Sequence, residues 1–124
     1  MGEFIPGGVW LDTNGKRIQA HGGSVICLKH VYYWYGENKE KRTEKCIWHW
    51  GVRCYKSSDL YNWEDCGIII PPDTENPESP LYPENCMDRP HIIYNQKEKN
   101  LSVGSKSWKR MEVRVKQSWK QTIY

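Results

Sequence analysis

Phenylalanine is almost missing from this sequence: one Phe stands against seven Trp and eight Tyr in 124 residues. Nearly every aromatic ring therefore carries an N–H or O–H. Such rings suit half-wet surfaces, including platforms for sugars, bases or protein partners, as well as a small core. No apolar run approaches the length needed to cross a membrane, so no membrane partner is expected. No secretory leader is legible either, because Met1-Gly2-Glu3-Phe4 leads straight to Pro6-Gly7-Gly8. An even set of cysteines is also lacking: Cys27, Cys46, Cys54, Cys66 and Cys86 cannot all pair. Reduced thiols in a cytoplasmic protein are the simplest account. Cys46-Ile47-Trp48-His49 offers one Cys-x-x-His pair, with Cys54, Cys66 or Cys86 as further sulfurs. Without a second tight pair this is a weak zinc signature, and no metal or other cofactor is expected.

Balanced charge is absent as well. The net charge of +3 hides a tail from Lys106 onward with six basic residues against Glu112 alone. The preceding body holds twelve basic and fourteen acidic residues, a net charge of −2. A mildly acidic body does not fit a nucleic-acid binder, and a charge run at a chain end is usually only solvated. One domain at most fits this length.

What is present reads as β-structure. Gly7, Gly8, Asn14-Gly15 and Gly22-Gly23 break up the opening residues and disfavour helix there. Ser24 to Leu28 and Val31 to Tyr35 are strand-like runs around a Lys29-His30 break, a predicted hairpin. Asn38 to Lys45 is charged and reads as a solvated loop. Val52 to Ser57 alternates at a spacing of two, the mark of a half-buried strand. Trp63 to Ile70 gives a fourth extended run, so the four form an antiparallel meander, the unit of a propeller blade. Residues 71–87 hold five of the seven prolines and are expected to be mostly irregular. Arg89 to Tyr94 reads as a strand again, with a polar turn at Asn95 to Lys99 and a weak return strand at Leu101 to Val103. This order echoes residues 21–35, a weak internal repeat. In the tail, Trp108, Met111, Val115, Trp119 and Ile123 fall at helical spacing. Met111 to Val115 also alternates like a strand, so the period stays open.

Three segments are distinctive: Trp10-Leu11-Asp12-Thr13-Asn14-Gly15-Lys16-Arg17-Ile18-Gln19-Ala20-His21-Gly22-Gly23, Tyr33-Trp34-Tyr35-Gly36-Glu37-Asn38-Lys39, and Tyr55-Lys56-Ser57-Ser58-Asp59-Leu60-Tyr61-Asn62-Trp63. With Asp88-Arg89-Pro90-His91-Ile92-Ile93-Tyr94-Asn95, they resemble glycoside hydrolase family 43, nearest the exo-β-1,3-galactanase branch. The resemblance covers about residues 6–99. It implies an all-β chain: the first blade and the start of the second blade of a five-bladed β-propeller, an N-terminal fragment of such an enzyme. Residues 1–105 would form this part, and residues 106–124 an irregular or helical basic tail.

The resemblance further implies an inverting hydrolysis at the mouth of the central channel. An acid there protonates the leaving oxygen while a base activates water, with the two carboxyl groups about 6.5–9.5 Å apart. No single blade supplies both groups, and the general acid is expected in a later blade. Asp12 and His21 flank the first strand, where members of the family place channel-facing polar groups. Glu37 matches a glutamate that contacts sugar hydroxyls. Asp88 stands where many relatives carry Glu, at a position thought to tune the pKa of the acid. Arg89 beside it would favour the ionised carboxylate. The partner implied is an oligosaccharide or polysaccharide, of galactan type. The fragment is expected to be inactive, and to self-associate through open blade edges. An alternative is a non-catalytic carbohydrate-binding module using Trp34, Tyr35 and Glu37. Departures from the family begin after Asn95, and a frameshift or truncated reading frame near residues 96–101 would explain both the lost pattern and the basic bias.

Overall fold

A computed structural model describes residues 3–41, 43–44, 48–95, 100–106 and 113–114. All the regular structure among them is β. A four-stranded antiparallel sheet has the order β1(His21–Leu28), β2(Val31–Glu37), β3(Val52–Ser57), β4(Glu64–Ile70). A three-stranded sheet follows, of β5(Asp88–Asn95), β6(Asn100–Lys106) and β7(Val113–Arg114), again in chain order. Strands that neighbour in sequence thus neighbour in space, the meander of a propeller blade. Among the described residues, no helix is long and apolar enough to cross a membrane.

The β1–β2 hairpin turns on Lys29 and His30, whose φ angles are 49° and 65°. Positive φ at both central residues matches the right-handed twist of the flanking strands, though neither residue is the glycine or asparagine that usually fills such turns. Ahead of the sheet, Leu11 bridges to Arg17. The Asp12 carboxylate holds this small hairpin, accepting from Asn14 N–H at 2.8 Å and Lys16 N–H at 3.0 Å.

Period-two alternation sorts the side chains of the first sheet into two faces. On one, Tyr33, Tyr35, Val52, Cys54, Ile69 and Ile70 pack with Met87 and Ile92, so this face meets the second sheet. On the other, Tyr55 and Trp63 pack with Ile18 and Ala20, and Tyr32 and Trp34 lie against them. Trp34 there forms edge-on contacts with Trp10 and Trp63, at centroid distances of 4.9 and 5.3 Å.

Two expectations need correction. Asn38 is buried, unlike a residue of a solvated loop. Its N–H donates to Gly51 O at 2.9 Å and its carbonyl accepts from Trp50 N–H at 2.6 Å, which closes residues 38–51 at the root. At the chain end, β6 runs on to Lys106, and Val113–Arg114 pairs with it as strand, where an irregular or helical tail was expected. The remaining tail positions, Trp108, Met111, Val115, Trp119 and Ile123, lie outside the described residues.

Candidate functional site

Both sheets open in the same unusual way. His21 pairs with Glu37 and Ser24 with Tyr35, so one residue of β1 is extra and the strand bulges. Asp88 pairs with Lys106 and His91 with Gly104, the same bulge at the opening of β5. The second residue of each strand is left-handed: Gly22 at φ 57° and Arg89 at φ 53°. Bulges re-aim side chains and interrupt pairing, and they concentrate near active sites. A left-handed arginine is costlier than a glycine, by about 1 kcal/mol or more, and persists only where its surroundings hold it.

Glu37 supplies the hold. Its side chain ends β2 on the face that meets the second sheet, and the residue is only 4% exposed. Arg89 N–H donates to Glu37 Oε1 at 3.0 Å, across 52 positions of sequence. Lys39 Nζ stands 3.4 Å from Glu37 Oε2. A buried carboxylate is tolerated where charge and hydrogen bonds meet it in this way. Two residues back on the same face, the fully buried Tyr35 accepts a hydrogen bond from Ile92 N–H at 3.0 Å. The two sheets are therefore stitched together twice along β2.

His21 faces the same corner as Glu37, its partner in register. Its Nε2 lies 2.9 Å from Gln19 Oε1, and Lys39 N–H donates to that oxygen at 3.4 Å. Burial lowers the His21 pKa, and the positive charges of Lys39 and Arg17 lower it further. The ring is therefore neutral near pH 7, offering a donor and an acceptor in place of a charge. Close backbone approach shapes the corner. A Cβ on Gly36 would lie 2.4 Å from the Ala20 carbonyl carbon, and one on Gly23 only 1.6 Å from the Tyr35 carbonyl oxygen. Glycine is therefore required at both positions. Together these groups form a polar corner able to bind a neutral, hydroxyl-rich ligand.

Solved structures share this architecture. An exo-β-1,3-galactanase from Phanerochaete chrysosporium, solved with galactose, is 32% identical over 84% of this chain, with a TM-score of 0.72. A β-1,3-galactosidase of family GH43, solved with galactodeoxynojirimycin, is 36% identical over 80% of this chain, with a TM-score of 0.68. An exo-β-1,3-galactanase from Clostridium thermocellum is 28% identical over 90% of it, with a TM-score of 0.64. The chain belongs to glycoside hydrolase family 43. It spans only 23%, 28% and 27% of those three structures, so this family 43 chain is a partial propeller. No protein-family model and no curated protein sequence matches it.

Within this family 43 segment, His21, Glu37 and the backbone N–H of Arg89 come together, whereas the sequence had set the Arg89 side chain beside Asp88. Asp88 opens β5 next to them, and its side chain lies outside the described residues. Asp12 is elsewhere. Its neighbour Thr13 bonds the Trp63 carbonyl ahead of β4, at the sheet edge opposite β1, and the Asp12 carboxylate is taken up by its own turn. Trp34 lies on the other face of β2 from Glu37, among Trp10 and Trp63. Tyr35 has no exposed surface to stack on a sugar. Aromatic stacking by Trp34 and Tyr35 beside Glu37 is therefore not what this geometry offers.

Lys39 and Gln19 belong to the corner and escaped the sequence reading. Lys39 lies two residues beyond Glu37 and Gln19 two before His21, a spacing at which side chains share a strand face. Among the described residues, no group of His, Cys, Asp and Glu could hold a metal ion, and Cys46 of the weak zinc signature lies outside them.

Proposed function

We propose that this chain carries the galactose-facing corner of an exo-acting β-1,3-galactan hydrolase, and that it does not hydrolyse sugars on its own. The observation that carries the reading is the anchoring of Glu37 between Arg89 N–H and Lys39, where the bulged openings of two sheets converge. Relatives solved with galactose and with β-1,3-galactotriose support a terminal galactose as the ligand.

In this reading Glu37 accepts hydrogen bonds from sugar hydroxyls, and the neutral ring of His21 orients a further hydroxyl. Asp88 tunes a general acid contributed by a later blade. Hydrolysis by the complete propeller inverts the anomeric centre. Without that acid the rate falls by about a hundred- to ten-thousand-fold, and lost positioning lowers it further. Galactose release from β-1,3-galactan by the purified chain is therefore expected to equal the no-protein control. Turnover that co-elutes with the chain and scales with its concentration would overturn the reading.

A further inference from the structure

Away from the sugar corner, β3 and β4 bring two cysteines together. Cys54 pairs with Gly67 and Tyr55 with Asp65, which leaves Cys66 as the extra residue of a bulge beside Cys54. Gly67, at φ 81°, has no side chain to stand over Cys54. The Cys66 side chain takes that place, packed against the cluster that contains Cys54. The two thiols are therefore neighbours on the core face, each donating to a backbone carbonyl (Cys54 to Tyr55 O at 3.6 Å, Cys66 to Glu64 O at 3.8 Å), and both are reduced. Tyr33 packs in the same cluster, where burial foremost, and then the two neighbouring sulfurs, raise its pKa.

We propose that Cys54 and Cys66 form a dithiol oxidation site, in which a peroxide reacts at Cys66 and Cys54 resolves the product into a cross-strand disulfide. The two sulfurs differ as such a division of labour requires. Cys54 is fully buried, and the adjacent Cys66 thiol, together with burial, raises its pKa well above the ordinary thiol value. Cys66 is part-exposed, and the neighbouring Cys54 thiol, with Lys56 nearby, lowers its pKa. The more accessible and more acidic sulfur is the one that oxidants find.

In the first step the Cys66 thiolate attacks hydrogen peroxide, the O–O bond breaks and hydroxide leaves, giving a sulfenic acid. In the second the Cys54 sulfur attacks Cys66 Sγ, the S–O bond breaks, and water departs with the Cys54 proton. One peroxide is reduced to two waters while two thiols become one disulfide. The new bond ties β3 to β4 covalently on the core face of the first sheet.

The full chain is treated with hydrogen peroxide in native buffer and, separately, in urea. Remaining thiols are alkylated, and the linked peptides are mapped by mass spectrometry. The proposal predicts a Cys54–Cys66 bridge, with loss of two hydrogens, that forms several-fold faster in native buffer than in urea. In C54S the reaction stops at a sulfenic acid on Cys66, trapped by dimedone. Equal bridging rates in the two solvents would overturn the proposal. So would native oxidation that proceeds at Cys27 or Cys86 while Cys54 and Cys66 stay reduced.

Discussion

Acidification tests the packing of the long connection between β2 and β3 through one side chain, His49. The imidazole is 1% exposed. Its Nδ1 accepts from Gly51 N–H at 2.9 Å, and the ring lies beside the Tyr82 backbone of the proline-rich segment. Burial pushes its pKa from 6.5 down to about 4, against the smaller opposing pull of that backbone. The neutral ring is thus the folded form, whereas the unfolded chain takes up a proton near pH 6.5. Because the folded value is depressed, this contribution is complete above pH 6.5, erodes as the pH falls and levels off below about 4. The loss amounts to about 2 kcal/mol at pH 5 and about 3 kcal/mol at pH 4, a large share of an ordinary domain's stability.

His49→Asn removes the titration while keeping an oxygen near the position of Nδ1 for the Gly51 N–H. Urea unfolding of both proteins, followed by tryptophan emission from pH 7.5 to 4, isolates the effect, since other titrating groups cancel in the difference. The variant is expected to be less stable at pH 7.5 through lost packing. The gap between the two proteins should then shrink by about 3 kcal/mol as the pH falls to 4. A gap independent of pH would refute the assignment of His49 as a buried neutral ring.

Other perturbations test the joins around the corner. Gly36→Ala drives a methyl group into the Ala20 backbone and should cost about 3 kcal/mol, read as a lower urea midpoint. Tyr35→Phe strands the Ile92 N–H between the two sheets. It should cost about 2 kcal/mol and speed hydrogen exchange at Ile92 while leaving the β1–β2 ladder protected.

Much of this fold was legible because short alternating strands declare themselves. Val52 to Ser57 is strand over the full stretch that its alternation marked, and Lys29-His30 is the turn. The fourth strand starts at Glu64, one residue after the Trp63 read from the sequence, and Trp63 itself packs in the second core cluster. The echo between residues 21–35 and 88 onward proved deeper than an order of elements. It extends to matching bulges with a left-handed residue at the second position.

The corner itself was only half legible. Its defining bond joins Glu37 to a backbone N–H 52 residues away, which no local pattern announces. Asn38 was hidden for a related reason, as its partners at Trp50 and Gly51 are brought near only by closure of the loop. The separation of Trp34 from Glu37, in contrast, could have been read directly. Residues three apart on a strand point to opposite faces.

The central claim, that the corner around Glu37 is a galactose site, is tested most directly by titrating the chain with β-1,3-galactobiose under amide NMR. The account predicts saturable shifts at residues 21–23, 36–39, 89 and 91, abolished in Glu37→Gln while the rest of the spectrum keeps its dispersion. No shifts at millimolar disaccharide, or shifts confined to the face of Trp10 and Trp34, would contradict it.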